Sequence, residues 1–243
     1  MKKIDRVILK TSGELFGQNG DSISFEKLDQ VARRLIEIKK ITGVEMAVVV
    51  GGGNIFRGRL ANEEVDPTEA DAMGMLATVM NGIGLREALI RNGEVETRLM
   101  TAFPLPSFAE PYIRQKARYH LDQGRMVILA GGTGLPGCST DTAVSQYAWE
   151  LKCQMVLKAS TTDGVYDRDP KTNPNAKKYS EISFKKVFEE KLRVMDMTAF
   201  TKCEEWNLPI FVFDIKDLDE LPKVIMEKDF SMGTLISNEV LTT

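Results

Sequence analysis

The stretch Ala47-Val48-Val49-Val50-Gly51-Gly52-Gly53-Asn54-Ile55-Phe56-Arg57-Gly58 limits what this chain can fold into more than any other. A valine-rich run stops on three glycines, and an arginine follows four residues after the last of them. A run that is apolar at every position suits a strand buried on both faces, as in a parallel sheet. The glycines can turn with positive φ and leave no Cβ between the backbone and a ligand. Successive N–H groups in such a turn can cradle an anion. The planar guanidinium of Arg57 matches phosphate geometry. Taken alone, the stretch also fits a tight turn followed by a surface arginine.

At 243 residues there is room for one large α/β domain or two small ones. The net charge of −3 gives no reason to expect binding to nucleic acid or membrane, so a phosphate site must be a local basic cluster. Cys138, Cys153 and Cys203 form no paired or zinc-like pattern, which points to a reducing cytosol. Val7-Ile8-Leu9 near the start is a short strand, not the core of a signal peptide. No apolar run is long enough to span a bilayer. The one histidine, His120, falls in an ordinary amphipathic segment and gives no basis for histidine acid–base or metal chemistry.

In chain order, Val7-Ile8-Leu9-Lys10 is a strand ending at Thr11-Ser12-Gly13-Glu14. A helix follows over 25–40, with Leu28, Val31, Ala32, Leu35 and Ile38 on one face and Gly43 as its stop. The strand at 46–50 completes a βαβ unit, for which right-handed, parallel geometry is the rule. A polar, acidic loop is expected over 61–69, then a helix over 70–91. That helix is apolar nearly all round, so it must be covered on two sides, one by the sheet and the other by a second subunit. Further strands are expected at 97–101, 126–130, 154–157, 209–213 and 234–236. Glu110-Pro111 should start a helix, with the proline in its first turn. Ser139 to Thr142 should open another helix running to Leu151. Short helices are expected over 184–190, 198–206 and 218–227. No repeat or linker divides the chain, which favours one domain with two lobes.

Four strands therefore lead into loops rich in glycine, hydroxyls and basic residues: 10–13, 51–57, 131–140 and 158–169. In open α/β sheets ligands lie beyond the carboxyl ends of the strands. Two lysines, an arginine and no histidine suit phosphoryl transfer, which needs positioning and charge neutralisation more than a proton relay. Asp141 or Asp169 could orient the lysines or help hold Mg²⁺. The P-loop pattern is absent. Gly132, Gly134 and Gly137 satisfy the dinucleotide-binding spacing, but the next strand ends in Lys158 where an acidic ribose ligand is required.

At this point the chain resembles the bacterial uridylate (UMP) kinases of the amino-acid-kinase superfamily. The resemblance is carried by Leu9-Lys10-Thr11-Ser12-Gly13-Glu14, by 51–58, and by Asp71-Ala72-Met73-Gly74-Met75-Leu76-Ala77-Thr78-Val79-Met80-Asn81. It continues through Gly132-Thr133-Gly134-Leu135-Pro136 with Thr140-Asp141, Lys158-Ala159-Ser160 with Asp163-Gly164-Val165-Tyr166, and Val194-Met195-Asp196. It runs in order from 7 to 236. The glycine triplet and lysine-led turns are superfamily features, whereas the 73–81 segment is specific to the UMP kinases.

The resemblance implies a three-layer αβα sandwich around a mostly parallel sheet. It implies ATP- and Mg²⁺-dependent conversion of UMP to UDP in cytoplasmic pyrimidine synthesis, by a homohexamer whose dimer contact runs through the helix at 70–91. A lobe at 1–150 would bind UMP and a lobe at 151–243 would bind ATP. Carried over residue by residue, Lys10, Arg57, Asp141 and Lys158 form the catalytic set. Lys10 and Lys158 would stabilise the transferring group, and Asp141 would position lysine or metal. Lys10, Thr11, Ser12, Gly13, Gly53, Arg57, Ser160, Tyr166 and Asp169 would contact ATP. Gly52, Asp71, Thr133, Gly134, Leu135, Pro136, Gly137, Cys138, Ser139 and Thr140 would contact UMP. No protein ligand to the metal is assigned, because nucleotide phosphates would hold most of its coordination. Many relatives have two phenylalanines where this chain has Gly137-Cys138, so its uracil selectivity or subunit contacts would differ. An acyl-phosphate-forming kinase of the same fold and a non-catalytic nucleotide sensor remain the alternatives.

Overall fold

The continuous apolar runs become the inner strands of one sheet. The computed structural model describes residues 4–18, 20–57, 65–93, 95–192 and 195–238. In chain order its elements begin with β1 (Arg6–Thr11), α1 (Phe25–Thr42), β2 (Glu45–Val50), α2 (Pro67–Asn92) and β3 (Thr97–Thr101). There follow β4 (Glu110–Pro111), α3 (Arg114–Asp122), β5 (Met126–Ala130), α4 (Thr140–Glu150) and β6 (Met155–Ser160). The last are β7 (Val165–Tyr166), β8 (Lys178–Tyr179), β9 (Glu181–Ser183), α5 (Phe184–Glu189), α6 (Met197–Glu205), β10 (Ile210–Asp214) and β11 (Gly233–Ser237).

Nine strands form the sheet in the order β4-β3-β5-β2-β1-β6-β10-β11-β9, and β7 and β8 pair separately. Every neighbour in the large sheet is parallel except β10 and β11. The chain lays β2 beside β1, places β3 and β4 farther out, fills the gap with β5, then returns to lay β6 on the other side of β1. The β1/β6 junction is therefore the topological switch point, where an open α/β sheet leaves a crevice at its carboxyl edge.

Strand alternation sends side chains to two cores. Val7 and Leu9 join Leu28, Leu35, Leu85 and Leu89 from α1 and α2, with Leu218 and Leu221 from the C-terminal turns. Ile8 points the other way and joins Ala143, Val144 and Tyr147 from α4, with Leu121 from α3 and Phe200 from α6. Helices thus cover both faces, giving the expected three-layer sandwich.

Several boundaries differ from the sequence reading. The helix expected from residue 70 starts at Pro67, because Asp66 caps it by accepting from the Thr68 N–H at 2.8 Å and proline suits the first position. Glu110-Pro111 is an edge strand paired with β3, not a helix start. A proline, which lacks an N–H, is tolerated at a sheet edge as well as in a first helical turn. Lys158 lies inside β6, which continues to Ser160. The helix expected over 218–227 is two short turns, Ile215–Glu220 and Lys223–Glu227, divided at Pro222, whose missing N–H cannot extend the first. Residues 58 and 61–64, from the glycine motif and the acidic loop, and Val194 lie outside the described residues.

Candidate active site

Parallel register sets Lys10 of β1 directly beside Lys158 of β6. Both side chains project to the face that α4 covers, and α4 brings Asp141 in its first turn. Lys158 Nζ donates to Asp141 Oδ2 at 2.7 Å, and Lys10 Nζ lies 3.4 Å from Asp141 Oδ1. All three side chains are largely buried, with 10–16% of their surface exposed. Burial works against ionisation of Asp141, but the ammoniums of Lys158 and then Lys10 outweigh it and hold the carboxyl below its ordinary range. Burial also pulls Lys158 down from the usual lysine value; Asp141 opposes that and Lys10 adds to it. A pair of buried ammoniums sharing one carboxylate carries net positive charge, which suits a polyanionic ligand.

Ser139 fixes where Asp141 sits. Its Oγ accepts from the Asp141 and Thr142 N–H groups at 3.0 and 3.2 Å, capping α4. The same hydroxyl donates to Asp196, which also accepts from Thr142 Oγ1 and caps α6 through the Ala199 N–H at 2.8 Å. One carboxylate thus ties the starts of two helices together. Sequence reasoning quoted Asp196 within a motif but gave it no role. An aspartate three residues before Ala199, at a helix start, was the available signal.

The turn after β2 is interlocked with the turn after β1. A Cβ on Gly51 would lie 2.8 Å from the Gly13 nitrogen, and one on Gly13 would lie 2.6 Å from the Gly53 nitrogen. Arg57 is held over this turn by donating to the Gly53 carbonyl at 3.1 Å and by an ion pair with Glu14. Gly53, Arg57, Val65 and Met73 help line a cavity of about 420 Å³.

The turn after β5 is built differently. Gly131, Gly132, Gly134 and Gly137 have φ of 84°, 59°, 78° and 75°, in the left-handed region that favours glycine. The Gly137 N–H donates to Asp71 Oδ2 at 2.6 Å, so α2 and this turn bring two of the expected UMP residues together. Thr133 closes the turn by accepting from the Leu135 N–H at 3.2 Å. Leu135, Pro136, Gly137 and Cys138 are exposed.

Beyond β6, Ser160, Tyr166 and Asp169 share a cavity of about 460 Å³ with Val165, Leu192 and Val212. The Tyr166 hydroxyl donates to Asp163 at 2.7 Å. Asp169 accepts from the Lys171 N–H at 2.9 Å and so shapes its own loop. Of the two carboxylates considered for orienting the lysines, the structure places Asp141 between them.

Residues 5–214 match the model of the Amino acid kinase family. A uridylate kinase from Deinococcus radiodurans is 46% identical over 235 residues, covering 96% of this chain and 95% of that protein. The chain belongs to the amino acid kinase family, among the uridylate kinases. A uridylate kinase from Rickettsia canadensis is likewise 46% identical, over 93% of both chains. The crystal structure of a UMP kinase from Bacillus anthracis superposes with a TM-score of 0.93 at 37% identity, covering 98% of each chain. That of a UMP kinase from Ureaplasma parvum gives 0.90 at 34% identity, covering 98% of this chain and all of the other. Among the described residues no helix is long and apolar enough to cross a membrane.

Proposed function

We propose that the chain transfers the γ-phosphoryl group of ATP to UMP, giving UDP and ADP, beyond the β1/β6 junction. The observation that carries this reading is Lys10 and Lys158 side by side, bridged by Asp141, with the glycine turns after β2 and β5 following on the β1 side. An oxygen of the UMP phosphate attacks the γ-phosphorus as the bond to the β–γ bridging oxygen breaks. That attacking oxygen is already anionic near neutral pH, since the second pKa of a phosphomonoester is about 6. No general base is required, in keeping with a site built from cations. Lys10 and Lys158 offset the charge on the transferring group, and Asp141 keeps their ammoniums aimed at it. Arg57 and the N–H groups of Gly52 and Gly53 hold phosphates where the two nucleotides meet.

The strand order supports a division of labour. Residues 1–150 supply Asp71 and the turn from Thr133 to Thr140 for UMP. Residues 151–243 supply Ser160, Tyr166 and Asp169 for ATP, with the adenine in the cavity beside Tyr166. The residues here fit Mg²⁺ carried in on the nucleotide. No cluster of three His, Cys, Asp or Glu side chains among the described residues could hold a metal. Among the described residues, Asp141 Oδ1 is held by the Lys10 ammonium alone, at 3.4 Å, which leaves it room to turn toward a phosphate-bound ion. Mg²⁺ held by the nucleotide phosphates would neutralise the charge that develops during transfer, beside Asp141 and the two lysines. Met73, Leu76 and Met80 on α2 are each about half exposed, which supports a contact between copies along that helix. Three free cysteines support a cytoplasmic setting.

The test is ADP release with ATP and Mg²⁺ when UMP, CMP, dUMP, AMP, aspartate and acetylglutamate are offered in parallel. Turnover selective for UMP is expected. Turnover with CMP as well would mean that Gly137-Cys138 relaxes base recognition. Activity on an amino acid and on no nucleotide would overturn the proposal.

A further inference from the structure

Two polar side chains on α2 have no part in the transfer just described, yet each is buried and each grips a glycine turn. Thr78 is 4% exposed and Asn81 is fully buried. They are three residues apart, so they lie on one face of the helix, nearly one turn apart. Thr78 Oγ1 accepts from the Gly131 N–H at 2.7 Å while donating to the Met75 carbonyl at 2.7 Å. Its single proton is committed to the helix, so its lone pairs face the turn after β5. The Asn81 carboxamide donates to the Gly51 carbonyl at 2.7 Å and to Asn54 Oδ1 at 2.7 Å, and accepts from Asn54 Nδ2 at 3.0 Å. Asn54 extends the link to the Ser22 carbonyl at 2.6 Å. The first turn also sits directly on the helix. A Cβ on Gly52 would lie 2.9 Å from the Gly74 carbonyl oxygen and 3.0 Å from the Thr78 nitrogen.

We infer that Thr78 and Asn81 are positioning residues, and that α2 is the strut holding the two glycine turns in mutual register. β2 and β5 are neighbours, so the sheet fixes where the two strands end. It does not fix the turns beyond them, and Gly131 and Gly132 in particular have soft, left-handed backbones. In-line transfer is sensitive to this, because a misplacement of about 1 Å can cost about 10²-fold in rate. The inference rests on the proposed UMP reaction for its kinetic consequence and on geometry alone for the contact.

Thr78→Val keeps the shape and removes the hydroxyl, whereas Thr78→Ser keeps the hydroxyl and removes a methyl. The expected result is a KM for UMP raised about tenfold in Thr78→Val, with the KM for ATP unchanged and Thr78→Ser within about twofold of wild type, on the scale of one lost hydrogen bond. Asn81→Asp, which faces the Gly51 carbonyl with a carboxylate oxygen, should lower kcat by about 10²-fold. Hydrogen exchange at the Gly131 amide reads the contact without turnover. Protection should be lost in Thr78→Val and kept in Thr78→Ser. If Thr78→Ser is the worse of the two, the site is mere packing and the inference fails. Equal Gly131 protection in both overturns it too, whatever acceptor the wild-type chain uses. Absence of UMP turnover in the wild type would instead overturn the function proposed above. Should Asn81→Asp fail to fold, the Thr78 pair decides the matter by itself.

Discussion

The turns after β2 and β5 follow adjacent strands, and both are rich in glycine, but they use it differently. Gly51 and Gly52 keep ordinary backbone angles and lack room. A Cβ on either would lie under 3 Å from backbone atoms of Gly13 or Gly74. Gly132 and Gly137 have room but a left-handed backbone. The nearest atom to a Cβ on Gly132 would be 3.6 Å away, and Gly137 has none within 4 Å. The first turn is a wall of interlocked main chain, fixed before any ligand arrives. The second is a loop bent by its glycines and pinned from outside by Asp71, Thr78 and the Tyr147 hydroxyl, which donates to the Gly132 carbonyl at 2.8 Å. The same residue type therefore makes an interlocked wall of main chain in one place and a left-handed loop held by side chains in the other.

Gly52→Ala should show the contrast most strongly. The added methyl meets backbone that cannot move aside, so a loss of about 2–3 kcal/mol is expected. Thermal unfolding should then fall by about 4–12 °C for a domain of this size. Asp141→Asn tests the centre between the turns. Without its carboxylate, Lys158 keeps the penalty of burial and the repulsion of Lys10, so its pKa drops further below the usual lysine value. The alkaline limb of the kcat–pH profile should move to lower pH; a fixed limb would mean that Lys158 is not the group observed. The same variant changes acid stability. The depressed carboxyl of Asp141 contributes stability that is complete above the ordinary carboxylate value of about 4 and lost as pH falls through its lowered value. Asp141→Asn should remove that part of the acid transition. Gly137→Ala is the smallest expected effect. It meets no atom and costs only the left-handed backbone, about 1 kcal/mol. Equal destabilisation by Gly137→Ala and Gly52→Ala would break the comparison.

Much of this was legible because it is local. The apolar runs, the glycines that end them, Ser139 as a cap and Gly43 as a stop all follow from short-range chemistry. That Lys10 and Lys158 act on one group followed from the family resemblance, whereas their adjacency was not legible in local chemistry, since nothing local dictates that β6 returns to lie beside β1. Residue chemistry alone left Asp141 and Asp169 equivalent; the family resemblance gave the lysines to Asp141, and the packing of α4 onto the sheet puts it between them. Thr78 and Asn81 were missed, although two polar residues on a helix apolar nearly all round were an available signal for a buried contact. Pro111 misled because one missing N–H suits a helix start and a sheet edge alike.

The most direct test of the central claim is Lys10→Ala, measured for ADP formation from ATP and UMP and for UMP binding by calorimetry. The account predicts turnover lower by about 10²–10³-fold, the scale seen when one stabilising donor is removed, with UMP affinity retained. Unchanged turnover would contradict it, because the paired lysines at the β1/β6 junction would then not act on the transferring phosphoryl group.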